Sequence, residues 1–256
     1  MERFCTYEKK NKLKISEKTL ESLPYKNKII NKVVKRIKDK NSGEIDNKTL
    51  GEMFERFIRD EERKQLGQFY TPNNVVEYII NYLNIKKNDK ILDPTCGCGI
   101  FLVSAYNFIK RKKGNAIKNI FGVDLNETAT KISRINIWLR SKRRKKDLNL
   151  LEKNIKIGNY IVEDPKITNN PFKWKEKFPE IFKEGGFDFI IGNPPYVTVR
   201  KYKDFNPEES VYKKILNGNT NAASLVIAKS YQLLKKGGTM AFVLPKTLLR
   251  VNSYKK

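Results

Sequence analysis

Short apolar runs alternate along the chain with longer amphipathic segments. Each short run is bounded by a glycine, a proline or a residue with an acidic or amide side chain, which is typical of buried strands that end in turns. We therefore predict strands at residues 91–93, 119–124, 154–159, 187–192 and 239–244.

Between these strands, apolar residues recur at the spacing of amphipathic helices. Strands that alternate with helices require crossover connections, which are right-handed. The pattern therefore predicts an α/β fold with a mostly parallel, doubly wound sheet of at least five strands, preceded by a basic helical arm. The predicted helices lie at residues 28–37, 50–63, 72–83, 101–109, 127–139 and 222–234, and long connections are expected at residues 160–186 and 197–221.

Two local signals mark helix ends. Thr71 before Pro72 suits a helix start, because threonine is a good N-cap and proline is favoured at the first helical position. Residues 235–238, Lys-Lys-Gly-Gly, are expected to stop the last helix.

The chain is strongly basic. It has 53 lysine and arginine residues against 28 acidic residues, a formal net charge of +25. Such an excess favours a polyanionic partner, and nucleic acid is preferred over membrane because no apolar stretch is long enough to span a bilayer. The charged N-terminus lacks the apolar core of a signal peptide, so we expect a cytoplasmic protein.

The chain contains no histidine and three cysteines, Cys5, Cys96 and Cys98. This excludes Ser-His and Cys-His nucleophilic catalysis and histidine-ligated zinc, and an odd cysteine count gives no disulfide framework. No metal site is expected. The chemistry must instead rely on amides, carboxylates, aromatic rings, backbone groups and a cofactor.

Polar side chains follow four of the predicted strands: Asp93, Asp124, Asn159 and Asn193. In an open α/β sheet, ligands bind beyond the carboxyl ends of the strands. We therefore expect these four side chains to lie along one edge.

A glycine-containing turn, residues 96–99 (Cys-Gly-Cys-Gly), separates the first strand from its helix. Glycine lets a ligand approach the backbone, and the helix N-terminus offers N–H groups. The turn departs from the dinucleotide fingerprint, because Leu102 stands where a third glycine would be, and it is not a P-loop. Asp124, after the second strand, suits ribose hydroxyls. Asp93 could hold an ammonium group or cap the turn.

Residues 193–196, Asn-Pro-Pro-Tyr, follow the fourth strand. Two prolines stiffen the loop and cannot continue a sheet. The loop would present the Asn193 amide, the Pro194 carbonyl and the Tyr196 ring, which together suit a flat heterocycle bearing an amine. Alone, this motif could equally be a proline-rich turn that caps a strand.

Four motifs occur in order: residues 67–72 (Gly-Gln-Phe-Tyr-Thr-Pro), residues 93–101 (Asp-Pro-Thr-Cys-Gly-Cys-Gly-Ile-Phe), residues 122–124 (Gly-Val-Asp) and residues 193–196. Together they resemble the N6-adenine DNA methyltransferases of the gamma motif order, found in type I modification subunits and in fused type IIG restriction–modification enzymes. The resemblance covers about residues 50 to 250.

The resemblance implies a Rossmann-like class I methyltransferase sheet and the cofactor S-adenosylmethionine. The residues implied to hold this cofactor are Tyr70, Thr71 and Pro72 at its methionine end, Asp93, Gly97 and Gly99 at its amino acid part, Asp124 at the ribose and Asn159 at the adenine. Asn159 stands where the family often has aspartate, a mild departure because asparagine can also form hydrogen bonds.

The resemblance also implies the catalytic residues. The Asn193 side-chain oxygen and the Pro194 carbonyl would accept the two N6 hydrogens of adenine, and Tyr196 would stack on an adenine flipped out of double-stranded DNA. This chemistry needs neither histidine nor metal, in agreement with the composition.

The resemblance implies a catalytic domain at residues 66–256 behind the arm at residues 1–65. The family sheet normally has two further strands and a target-recognition domain or a specificity subunit. We therefore expect an incomplete domain that needs a specificity subunit or a C-terminal companion chain as partner. The alternatives are a protein-glutamine or RNA methyltransferase, and an inactive nucleic-acid-binding remnant.

Overall fold

A computed structural model describes residues 22–25, 28–39, 71–166, 168–197 and 221–246. The predicted helix at residues 50–63 and Tyr70 lie outside the described residues. In chain order, the elements are α1 (Lys28–Asp39), α2 (Asn73–Tyr82), β1 (Ile91–Asp93), α3 (Ile100–Arg111), α4 (Ala116–Asn119), β2 (Ile120–Asp124), α5 (Glu127–Arg140), α6 (Lys145–Asn154), β3 (Ile155–Ile157), α7 (Trp174–Lys177), α8 (Pro179–Lys183), β4 (Phe187–Gly192), α9 (Ala222–Leu233) and β5 (Leu234–Phe242).

The five strands form one parallel sheet in the order β3-β2-β1-β4-β5. The strand order reverses between β1 and β4, which are neighbours in the sheet although α3 to α8 separate them in the chain. The predicted α/β class and parallel doubly wound sheet are confirmed. Ligand sites in such sheets lie where the order reverses, beyond the carboxyl ends of the two strands.

Alternate residues of each strand enter two different cores, as the period of two in a β-strand requires. Ile91 and Ile191 belong to a core built with α2, α3 and α5, whereas Leu92 and Ile190 belong to a second core built with α9 and the connection at residues 160–182. Both faces of the sheet are therefore covered. Ile30 of α1 is buried in the first core, so this helix of the predicted arm packs on the same unit.

Several predicted boundaries differ from the structure. The third strand is shorter than predicted at both ends and spans Ile155–Ile157. It begins at Ile155 because Asn154 ends α6, a helix that the lysine-rich pattern did not reveal. The last helix ends at Leu233, within one residue of the predicted end, but residues 235–238 belong to β5, so this strand begins earlier than predicted. These residues form an irregular stretch in which Phe187 pairs with Leu234 and Phe189 with Thr239.

The second core is unusually aromatic. Phe172 lies fully buried between Trp174, at 4.7 Å between ring centroids, and Phe178, at 5.9 Å. Phe121 of β2 and Phe187 of β4 contact Phe178 at 5.5 and 6.1 Å. These rings replace regular helix packing over part of the sheet, so the long connection is part of the core.

We expect Phe172→Ala to lower the free energy of unfolding by about 3–5 kcal/mol, because it removes a ring from a closely packed core and leaves a cavity. Urea denaturation followed by circular dichroism measures this change. Tyr231→Ala is the matched control, since Tyr231 is 74% exposed. Equal losses for the two variants would contradict the packing described here.

Among the described residues, no helix is long and apolar enough to cross a membrane.

Candidate functional site

Asp93 and Asp124 end the neighbouring strands β1 and β2, as predicted, and both are buried. Asp93 is 1% exposed, and its Oδ1 atom accepts a hydrogen bond from the Thr95 amide at 3.0 Å. The backbone of Gly192, at the end of β4, lies directly against this carboxyl group: a Cβ atom on Gly192 would come within 2.7 Å of Asp93 Oδ1. The close approach explains the glycine at this position.

Burial raises the pKa of Asp93 from its usual value of 3.8 to about 8, and the nearby Asp124 carboxylate adds to the increase, while the hydrogen bond from Thr95 opposes it. Asp93 is therefore mostly protonated at neutral pH in the absence of a positively charged ligand. A cation placed beside this carboxyl group would favour its ionised form.

Asp124 fixes the glycine-containing turn. Its two carboxylate oxygens accept hydrogen bonds from the amides of Gly97 and Asn126, each at 2.8 Å. The Cys96 amide donates to the carbonyl of Val123 at 3.0 Å, so the turn is tied to the end of β2 at two points. A carboxylate oxygen can accept more than one hydrogen bond, so a ligand hydroxyl can also donate to Asp124.

Both glycines of the turn have left-handed backbone conformations, with φ of +50° at Gly97 and +88° at Gly99. A Cβ atom on Gly97 would meet no atom within 4 Å, whereas one on Gly99 would lie 2.3 Å from Ser133 Oγ. Gly97 thus faces open space, and Gly99 packs on α5. The N-terminus of α3, which follows Gly99, has no side-chain cap among the described residues.

Two side chains of α5 support the turn from behind, and sequence reasoning did not identify them. Ser133 contacts Gly99, and the Asn136 side-chain amide donates to the carbonyl of Cys98 at 3.0 Å. Both are buried polar residues among the mostly apolar buried residues of this helix. That polar interruption of the apolar pattern is the signal that could have identified them.

Asn159 lies near the same edge, but it does not end a strand as predicted, because β3 stops at Ile157. Asn159 is buried in the following loop, where its side-chain oxygen accepts a hydrogen bond from the amide of Ile161 at 3.1 Å. Its own amide donates to the carbonyl of Asn170 at 2.8 Å. This side-chain oxygen therefore orders the loop after β3.

Asn193 follows β4 directly, and its side-chain amide lies between two hydroxyl groups. The Nδ2 atom donates to Thr71 Oγ1 at 2.9 Å, and the Oδ1 atom accepts from the Tyr196 hydroxyl. That hydroxyl also lies 2.6 Å from the carbonyl oxygen of Val243, just after β5. The Val243 amide donates to the carbonyl of Gly192 at 3.0 Å, so β5 holds the loop on both sides of Asn193.

Thr71 does not act as the predicted N-cap. The N-cap of α2 is Pro72, whose carbonyl accepts hydrogen bonds from Val75 and Val76, and no side chain caps this helix. The prediction is wrong by one position because the Thr71 hydroxyl is used by Asn193 instead. Thr71 is 3% exposed, so it joins the start of α2 to the loop at residues 193–196.

The structure thus brings most of the predicted site residues to one edge of the sheet. Asp93, Gly97, Gly99 and Asp124 form one group around the turn, and Thr71, Asn193 and Tyr196 form a second group beside it. Gly192 joins the two groups, since it precedes Asn193 and contacts Asp93. Within the described ranges, no three or more His, Cys, Asp or Glu side chains are arranged to hold a metal ion.

Comparisons with known proteins identify relatives of this chain. The family model described as "Eco57I restriction-modification methylase" matches residues 118–256. The methylase subunit of the type I restriction enzyme MjaVII from Methanocaldococcus jannaschii is 27% identical over 192 residues, which is 74% of this chain and 29% of that subunit. The chain therefore spans less than a third of this relative's length.

Solved structures share the fold. The cryo-EM structure of a DrdV–DNA complex aligns with a TM-score of 0.63 at 19% identity, over 90% of this chain and 27% of that one. The methyltransferase subunit of a type I restriction–modification system from Streptococcus thermophilus aligns with a TM-score of 0.52 at 22% identity, over 81% of this chain and 41% of that one. With the family model matching more than half of its length and a parallel class I methyltransferase sheet, the chain belongs to the Eco57I restriction-modification methylase family.

Proposed function

We propose that this chain carries the catalytic site of a DNA methyltransferase that transfers a methyl group from S-adenosylmethionine to the N6 amine of adenine. The proposal rests on one observation. Gly192 packs against the buried carboxyl of Asp93 and directly precedes Asn193, so these two residues lie close together. A cofactor held at the turn would therefore lie next to an amine held at Asn193. The family membership supports the methyl-transfer chemistry.

The residues of the turn suit this cofactor. The open space at Gly97 admits a ligand against the backbone, and the amides at the N-terminus of α3 can receive its carboxylate. Asp93 can pair with its ammonium group, Asp124 can accept its ribose hydroxyls, and Pro72, Tyr70 and Asn159 are proposed to complete the binding site. When bound, S-adenosylmethionine supplies an electrophilic methyl group on a sulfonium centre.

The role of the loop at residues 193–196 follows from the chemistry of the amine. The N6 lone pair of adenine is delocalised into the ring, which makes the nitrogen a weak nucleophile. The Asn193 side-chain oxygen and the Pro194 carbonyl can accept the two N6 hydrogens and draw the nitrogen towards tetrahedral geometry. These fixed acceptors stabilise the positive charge that develops on the nitrogen during transfer.

Tyr196 lies beside these acceptors and is partly buried. Its ring is proposed to stack on the target adenine after the base has left the duplex. Stacking of a base on an aromatic side chain typically contributes about 1–3 kcal/mol.

The two lysine- and arginine-rich runs of the described chain lie far from the candidate site. The runs at residues 110–113 and 140–146 follow the C-terminal ends of α3 and α5, where Lys110 Nζ donates to the carbonyl of Arg140 at 2.7 Å. Both helices begin at the edge that carries the site and end at the opposite edge. These runs therefore lie away from Asn193, and the proposal that DNA is the substrate rests on the site and the family rather than on net charge.

The domain arrangement and partners are also part of the proposal. We propose that residues 66–256 form the catalytic domain, on which the arm at residues 1–65 packs through Leu23 and Ile30. A specificity subunit or a companion chain would supply recognition of the target sequence. The Streptococcus thermophilus protein, itself described as a subunit of a type I system, supports such an assembly.

Two measurements test the proposed function. Isothermal titration calorimetry should detect S-adenosylmethionine binding, and lack of binding at millimolar cofactor would refute it. Transfer of a tritiated methyl group to duplex DNA, followed by nucleoside analysis, should then give N6-methyladenine. Label found in protein or RNA instead would point to the alternative methyltransferase substrates.

We expect Gly99→Ala to weaken S-adenosylmethionine binding by at least tenfold. Alanine at this position would have to adopt a left-handed backbone conformation, and its Cβ atom would overlap Ser133 Oγ. Gly237→Ala is the matched control, since Gly237 has a similar left-handed φ of +80°, a Cβ atom there would meet no atom within 4 Å, and the residue lies outside the site. Calorimetry on both variants measures the difference. Equal affinities would show that the contact with Ser133 does not position the turn.

A further inference from the structure

Three groups, two of them distant in the sequence, lie around the Asn193 side-chain amide. Thr71 Oγ1 accepts from Nδ2 at 2.9 Å, the Tyr196 hydroxyl meets Oδ1, and the carbonyl oxygen of Val243 lies 2.6 Å from the same hydroxyl. Thr71 is buried, and Asn193 and Tyr196 are partly buried. The proposed transfer reaction uses only one of these contacts, the acceptor at Oδ1.

The Tyr196 hydroxyl has one hydrogen and two acceptors within reach. Burial raises the pKa of Tyr196 to about 12, so the hydroxyl keeps its hydrogen at neutral pH. It can donate this hydrogen to Asn193 Oδ1 or to the carbonyl of Val243, but not to both at full strength. The site therefore offers the hydroxyl two alternative partners.

Asn193 Oδ1 is also the acceptor that an adenine amine requires. We propose that the Tyr196 hydroxyl occupies this acceptor while the site is empty and transfers its hydrogen bond to the Val243 carbonyl when adenine enters, and that Thr71 is a positioning residue that keeps Oδ1 directed at the target. This inference rests on the proposed function and adds to it the exchange of donors at Asn193.

Thr71 acts on the other end of the amide. With Thr71 Oγ1 accepting a hydrogen from Nδ2, the Asn193 amide presents Oδ1, and not the NH₂ group, to Tyr196 and the target. An NH₂ group in that place would meet the N6 hydrogens of adenine with two donors and no acceptor. The Thr71 hydroxyl thus contributes to catalysis through Asn193, whereas the resemblance assigned it to the cofactor.

A matched set of variants separates these roles. Thr71→Val keeps the shape of the side chain and removes the hydroxyl, and Thr71→Ser restores it. We expect Thr71→Val to lower kcat for methyl transfer by about tenfold, with S-adenosylmethionine affinity within about twofold of wild type, and Thr71→Ser to recover most of the rate. A Thr71→Val variant with weaker cofactor binding and unchanged kcat would overturn the proposal.

Tyr196→Phe keeps the stacking ring and removes the hydroxyl that competes with adenine. We expect its KM for duplex DNA to fall by about two- to tenfold, because no hydrogen bond at Oδ1 has to be broken. A rise in KM would overturn the proposal, since it would show that the hydroxyl supports the adenine-bound state or that the NH₂ group faces Tyr196.

NMR of the cofactor-free protein tests the contacts independently of activity. The side-chain NH₂ signals of Asn193, assigned through their loss in Asn193→Ala, should exchange slowly with solvent in wild type and rapidly in Thr71→Val. Rapid exchange in wild type would overturn the inference. Wild-type protein that binds cofactor but methylates no adenine would instead refute the proposed function, and slow exchange would still establish the Thr71 contact.

Discussion

Replacing Asn193 with alanine is expected to slow methyl transfer to adenine by about 10²- to 10³-fold, the usual cost of losing one fixed polar group that stabilises developing charge. Affinity for S-adenosylmethionine should stay close to that of wild type, because the Asn193 side chain contacts Thr71 and Tyr196, which belong to the group beside the turn at residues 96–99. Single-turnover transfer of a tritiated methyl group, with saturating cofactor, measures this rate.

The control for this variant is Asn169→Ala, an exposed asparagine outside the site. It should transfer methyl groups at the wild-type rate. The melting temperature of both variants shows whether a lost rate reflects a lost fold. An Asn193→Ala protein that is folded and as fast as wild type would remove the proposed mechanism.

Replacing Asp93 with asparagine is expected to abolish measurable S-adenosylmethionine binding and at the same time to stabilise the fold. The carboxyl group of Asp93 has a pKa of about 8 in the folded protein against a usual value of 3.8. The folded state therefore holds this proton more tightly than the unfolded state, and the stability that Asp93 contributes falls as the pH rises from about 4 to about 8. Asparagine has no such dependence.

The gain in melting temperature from Asp93→Asn should thus be small near pH 4, grow through neutral pH and reach several degrees above pH 8. Differential scanning calorimetry across this range measures it. Asp164→Asn, at an exposed carboxyl outside the site, is the control for the loss of one acidic side chain. An Asp93→Asn variant that loses stability at high pH would contradict the burial argument.

The sequence predicted those parts of the fold that local patterns encode. Strands β1 and β4 begin and end where the apolar runs do, because each run meets a residue that stops it. The shared edge of Asp93 and Asp124 followed from strand ends alone. The stretch at residues 235–238 was not predicted to be strand, because a glycine pair after lysines indicates a helix end as readily as an irregular strand.

Other parts of the site depend on contacts that no local pattern contains. Thr71 was wrongly predicted to be an N-cap, because its hydrogen-bond partner Asn193 lies 122 residues away in the sequence. The raised pKa of Asp93 arises from burial and from Asp124, which only the packed sheet brings together. Val243 has an apolar side chain, and its part in the site comes from its backbone carbonyl, so its residue type gave no signal.

The hydrogen bond between Val243, just after β5, and the loop at residues 193–196 also bears on the order in which the parts of the site are synthesised. The hydrogen bond that fixes the turn at residues 96–99 joins Gly97 to Asp124. These residues are 27 positions apart, so this half of the site closes over a short loop. In the other half, Asn193 forms a hydrogen bond with Thr71, which is synthesised 122 residues earlier. Tyr196 forms one with Val243, which is synthesised 47 residues later. On the ribosome, the growing chain thus has every residue of the turn before it has those of the loop proposed to receive adenine. The residues proposed to bind cofactor are therefore synthesised before those proposed to bind adenine.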